Sequence, residues 1–105
     1  MPLVKIDLIR GARSRDEVKC LADVVQEAMR RYFNAPDRDR YQIITQHEDY
    51  ELICEDTNLG FTWSGKLVII QIFQQGRSQE QKVAAYKALF ENLSSKCSVS
   101  EGDLI

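Results

Sequence analysis

The feature that most constrains this 105-residue chain is that it carries the same series of signals twice. Near the start, Val4, Ile6 and Leu8 alternate with Lys5 and Asp7, the period of a strand with one buried face. Gly11 breaks the run and Arg13 follows. Ser14 with Glu17 then forms a capping-box pattern, the sign of a helix N-terminus. Later the order returns: Val68, Ile70 and Ile72, then Gly76, Arg77, and Ser78 with Gln81. Val4, Ile6, Leu8 and Ser14 map onto Val68, Ile70, Ile72 and Ser78 at one constant offset. The period is too long and the copies too few for a solenoid. Two β-α-β units within one small domain account for it.

The remaining apolar residues fill out each unit. Val18, Leu21, Val25, Met29 and Tyr32 recur at helical spacing and predict one apolar helix face, ending near Asn34 and Pro36. Asp37 to Arg40 reads as a charged turn, and Tyr41, Ile43 and Thr45 as the alternation of a second strand. Glu51 to Cys54 reads as a short strand, followed by turn signals at Asn58, Gly60 and Ser64-Gly65. Lys66 to Phe73 is the strongest strand pattern, apolar on both parities and so expected to be buried on both faces. Val83, Tyr86, Leu89, Phe90 and Leu93 predict the second helix face. The second unit then runs out at Gly102-Asp103-Leu104-Ile105, where Leu104-Ile105 begins a closing strand whose remainder is absent.

The expected fold is therefore α+β. It is a duplicated β-α-β unit with a mostly four-stranded sheet and two helices on one face, the second unit lacking its closing strand. One domain spans residues 1–105, cut short at its C-terminus. Right-handed crossovers put both helices on the same side of the sheet. The other face is left bare, and association with further copies is the expected remedy.

Composition narrows the partners. The formal net charge is −2 with no basic block, which argues against nucleic acid. The longest apolar run, Leu67 to Ile70, is far too short to span a membrane, and no secretory signal is visible. Cys20, Cys54 and Cys97 have neither metal-ligand nor redox spacing, so they read as reduced thiols in a cytoplasmic protein. His47 is the only histidine and has no metal partner in the sequence, so it reads as an ordinary strand-end residue. No metal or cofactor is expected.

Pro2 stands out against this background. Proline brings no backbone donor to a strand. Its repeat equivalent is Lys66, so the strand itself does not demand it. Initiator methionine is usually removed before a small second residue, and removal would leave Pro2 with a free secondary amine. A free α-amino group has a pKa of about 7.7–8.0. Burial lowers it, as does a neighbouring arginine, so that the neutral amine can take a proton next to a carbonyl at physiological pH. Arg77, one residue before a helix cap, offers a planar fork and a nearby helix start, both suited to a carboxylate. Arg13 holds the same place in the first unit, and either arginine also fits a plain surface role at a helix start.

Four stretches carry a family resemblance: PLVKIDLIRG at the start, DRDRYQI with its flanks, EDTNLGF at 55–61 and QGRSQEQK at 75–82. On these the chain resembles the tautomerase superfamily, whose members begin with a catalytic amino-terminal proline, and most closely its malonate semialdehyde decarboxylase group. The resemblance implies that Pro2 is the general acid or base and that Arg77 binds the substrate carboxylate and polarises its carbonyl. It implies that Asp39 positions or activates water, with Tyr41 and Gln75 beside the substrate. Some relatives carry a second arginine where this chain has Gln75. Relatives also continue past this end into another strand and a Trp-Ser-Phe segment that helps wall the site. The implied activity is cofactor-independent tautomerisation, or decarboxylation of a 3-oxo acid such as malonate semialdehyde, in a homo-oligomer, a trimer by resemblance. The implied substrate is a small keto acid or semialdehyde bearing a carboxylate. The absent second arginine and tail keep one alternative open: a catalytically inactive subunit of the same fold, acting in assembly or interaction.

Overall fold

The computed structural model describes residues 2–55, 65–74, 76–99 and 103–104. Its elements follow the repeat. β1 (Leu3–Ile9) leads into α1 (Arg15–Tyr32), then β2 (Tyr41–His47) and a short 3-10 turn (Asp49–Glu51). β3 (Val68–Phe73) and α2 (Gln79–Cys97) follow. Both helices start as the sequence predicts. Ser14 accepts from the Glu17 amide while the Glu17 side chain accepts from the Ser14 amide, and Ser78 and Gln81 form the same box. At its other end α1 is closed by Phe33, whose amide donates to the Met29 carbonyl at 3.0 Å, and by Asn34 in the left-handed region (φ 55°).

The sheet order is β2-β1-β3. β1 and β2 run parallel, joined by α1 as the crossover. β1 and β3 run antiparallel. Both helices lie on one face, where Val4, Ile6 and Leu8 are buried against Leu21, Val25 and Met29 of α1 and Ala85, Leu89 and Leu93 of α2. This single core forms because each strand offers one parity of apolar side chains and each helix one stripe.

Several expectations change. Among the described residues the sheet has three strands rather than four. Beyond these, Leu104 makes one parallel bridge to Val68. Glu51 to Cys54 is not a strand: the segment starts in the 3-10 turn and pairs with nothing regular. β3 is not buried on both faces, since Phe73 is 50% exposed and Gln71 is exposed too. On α2 the buried stripe is Ala85, Ala88, Leu89 and Leu93, while Val83, Tyr86 and Phe90 stand exposed. These last departures share a cause. Among the described residues, nothing packs on the open sheet face or on the outer flank of β3 and α2.

Candidate active site

Strand register decides what meets Pro2. Leu3, the first residue of β1, pairs with Tyr41, the first of β2, and with Phe73, the last of β3. The segments flanking those three residues therefore gather at one end of the sheet. They carry Pro2 before β1, Asp39 and Arg40 before β2, and Gln74 and Arg77 after β3. Pro2 is buried there. On the helix side of the same end, α1 finishes and α2 begins, and Gln81 Nε2 of α2 donates to the Tyr32 carbonyl of α1 at 3.3 Å.

Arg77 is held by this junction. Gly76 takes φ 75°, and an added Cβ would meet nothing within 4 Å, so the glycine is required by backbone conformation and not by space. That turn delivers Arg77 to the residue before the Ser78 cap. Its guanidinium carbon lies 5.9 Å from the centroid of the buried Phe33 ring, within cation-π range. A guanidinium laid on an aromatic face presents its N–H groups in one plane, the geometry that matches a planar acceptor such as a carboxylate. The start of α2 adds a positive dipole end beside it.

Asp39 is half-buried. Its amide donates to the Pro36 carbonyl at 3.0 Å, and its carbonyl accepts from Gln26 Nε2 of α1 at 3.4 Å, so the charged turn is anchored and not merely solvated. Tyr41 sits opposite Leu3, on the open face, and is 48% exposed. Within one chain it does not share a face with Pro2. Gln75 lies outside the described residues, as do Phe61, Trp63 and most of the 55–61 stretch. Two residues at this end were not singled out from the sequence. One is Phe33, the platform for Arg77. The other is Gln74, whose Oε1 is buried without a hydrogen-bond partner one residue past β3. The helical pattern included neither, because Phe33 reads as the end of a helix and Gln74 as loop.

Arg13 goes elsewhere. It lies at the opposite end of the sheet, where its Nη2 donates to the Lys66 carbonyl at 2.7 Å. Burial lowers its pKa from the ordinary arginine value, and the charges of Asp103 and Glu17 oppose that shift. The residue it grips is the repeat equivalent of Pro2. In the first unit the arginine before the helix cap is thus committed to a mid-chain carbonyl. His47 is also accounted for: its Nε2 lies 2.7 Å from Asp7 Oδ1 on the open face. Among the described residues no cluster of three or more His, Cys, Asp or Glu is arranged to hold a metal ion, and no helix is long and apolar enough to cross a membrane.

A small β-α-β duplication with an N-terminal proline and an arginine brought to one sheet end defines a class, and comparisons with known proteins agree on it. Two family models, each described as tautomerase enzyme, match residues 39–105 and 2–62. The chain belongs to the tautomerase family. It is 39% identical over 105 residues to the probable tautomerase YrdN of Bacillus subtilis (strain 168), a match covering 100% of this chain and 81% of that protein. The probable tautomerase YusQ of the same organism is 30% identical, covering 99% and 82%. Among solved structures, a malonate semialdehyde decarboxylase described as having decarboxylase and hydratase activities superposes with a TM-score of 0.91 at 40% identity. That match covers 98% of this chain and 79% of the decarboxylase. A fused 4-OT symmetric trimer superposes at a TM-score of 0.75 with 17% identity over 97% of this chain and 79% of its own, a likeness of fold.

Proposed function

We propose that this protein is a cofactor-independent tautomerase or 3-oxo acid decarboxylase that uses the Pro2 amine, freed by loss of Met1, as its acid-base group. The observation that carries this reading is the register, which brings buried Pro2 to the same sheet end as Arg77 and Asp39. In a buried setting the secondary amine loses its ammonium stabilisation by water and is neutral near pH 7, ready to take a proton α to a carbonyl. Arg77, braced on Phe33, holds the substrate carboxylate and draws electron density toward the carbonyl oxygen. In decarboxylation the pair left by departing carbon dioxide moves toward that polarised carbonyl, and protonated Pro2 returns a proton to the carbon. Asp39 positions water at the same end. Tyr41, on the open face, would reach substrate only from a neighbouring subunit.

The sheet face away from the helices, where Ile43 is 49% and Phe73 50% exposed, supports an assembly of several copies, and the trimer of similar fold makes a trimer the proposed form. The test is turnover of phenylenolpyruvate and of malonate semialdehyde by protein shown by intact mass to lack Met1. Turnover of one of them is expected, falling by roughly 10²-fold or more in Pro2→Ala. Equal rates in Pro2→Ala and the parent, or no turnover of either compound, would overturn the reading and leave the non-catalytic subunit.

A further inference from the structure

We propose that Cys20 and Cys97 form an oxidant-sensitive thiol pair that closes to a disulfide and staples the beginning of α1 to the end of α2. The two residues are remote in sequence, but the fold makes them neighbours. β1 and β3 are antiparallel, so the helices that follow them are antiparallel too, and the first turns of α1 meet the last turn of α2. Cys20 Sγ donates to the carbonyl of Lys96, the residue before Cys97, at 3.4 Å. That contact brings the Cys20 sulfur to the backbone segment that carries Cys97. Both are free thiols and both are half-buried, so a small oxidant can reach them.

The helix end that carries Cys97 is fixed. Ser98 adopts the left-handed conformation (φ 56°), and the amide of buried Val99 donates to the Leu93 carbonyl at 3.1 Å. With Cys20 Sγ already on the carbonyl of the residue preceding Cys97, little backbone movement is needed to bring the two sulfurs to bonding distance. Burial, and after it the neighbouring Cys20, pushes the Cys97 thiol up to about 12, so it remains protonated at neutral pH. The first oxidation is assigned to Cys20, whose sulfur already reaches the end of α2. With a hydroperoxide as oxidant, the Cys20 sulfur takes the terminal oxygen to give a sulfenic acid and the alcohol or water. The Cys97 sulfur then displaces that hydroxyl group, losing its proton, to give the disulfide and one water. The pair lies at the end of the helices away from Pro2, beside Arg13, which also feels the Cys97 thiol. The closure therefore acts on stability and leaves the Pro2 end unchanged.

The test is to treat the full chain with hydrogen peroxide and compare it with dithiothreitol-reduced protein. The expected result is a monomer mass lower by two hydrogens, a Cys20–Cys97 peptide on mapping, and a Tm higher by roughly 10 °C or more. The Cys54→Ser variant should behave as the parent, while Cys20→Ser and Cys97→Ser should lose both effects and keep their reduced-state Tm within a few degrees. A Cys54→Ser variant whose two remaining thiols stay unlinked, over-oxidise singly, or link only between molecules would overturn the proposal.

Discussion

Ile6 faces Ile70 across the antiparallel β1–β3 ladder, and each occupies the same place in its own repeat unit. A local two-fold relation therefore passes between these two residues, turning β1-α1 onto β3-α2. It also explains the bridge from Leu104: Val68, the equivalent of Val4, meets it in parallel just as Val4 meets Gln42 of β2. The symmetry stops at the flank of β3. Ile70 and Ile72, with Tyr86, Leu89, Phe90 and Leu104, line an open apolar cavity of about 310 Å³.

Equivalent positions should consequently differ in energy. Ile6 is 1% exposed and Ile70 is half-buried beside that cavity. Ile6→Ala is expected to cost about 2–5 kcal/mol, as for a fully buried aliphatic residue. Ile70→Ala should cost less than half of the Ile6 value. Urea denaturation of both variants checks this, and equal losses would contradict the burial difference.

The two capping boxes predict a second set of outcomes. Ser14→Ala and Ser78→Ala should each lower stability by about 1 kcal/mol. The Ser14 box is also pH-dependent. Hydrogen bonds from Ser14 hold the Glu17 carboxyl below its ordinary value. Its contribution is therefore complete above about pH 4.3, the unfolded value, and is lost as the pH falls through the lower folded value. Glu17→Gln should keep the box and flatten that part of the acid limb. Thermal scans between pH 2 and pH 6 would show it.

Arg13 and Arg77 should separate structure from chemistry. Arg13 grips the Lys66 carbonyl, so Arg13→Ala should lower Tm while leaving KM for a carboxylate substrate unchanged. Arg77 lies against Phe33 at the Pro2 end, so Arg77→Ala should cost about 1.5–3 kcal/mol of binding and transition-state stabilisation, roughly 10–100-fold in kcat/KM. Steady-state kinetics beside thermal melts distinguish the two. The reverse pattern would move the anion site to the other end of the sheet.

Assembly offers a fourth check. Ile43 lies on the open face, so Ile43→Glu places a charge where the proposed trimer buries apolar surface. Sedimentation should show the parent as an oligomer and the variant shifted toward monomer, with its far-UV spectrum retained. A parent that sediments as a monomer would remove the role proposed for that face.

Much of this protein is written locally. The repeat of strand, glycine, arginine, serine cap and helix predicts β1, α1, β2, β3 and α2 to within a residue or two at most ends, because alternation, helical spacing and capping are short-range signals. The same signals misread Glu51 to Cys54, which begins in a 3-10 turn and pairs with no strand among the described residues. They also misplaced the α2 stripe: Tyr86 and Phe90 have the right spacing, but small Ala85 and Ala88 face the core where the helices pack closely. Pro2 and Arg77 were visible as residue types, and family resemblance supplied their roles. Their shared sheet end, the Phe33 platform and the different use of Arg13 follow from strand register, which no local pattern encodes. Cys20 and Cys97 show the division most simply. In sequence they are unrelated thiols. Only the antiparallel run of the two helices, set by the direction of β3 against β1, brings Cys20 to the end of α2 that carries Cys97.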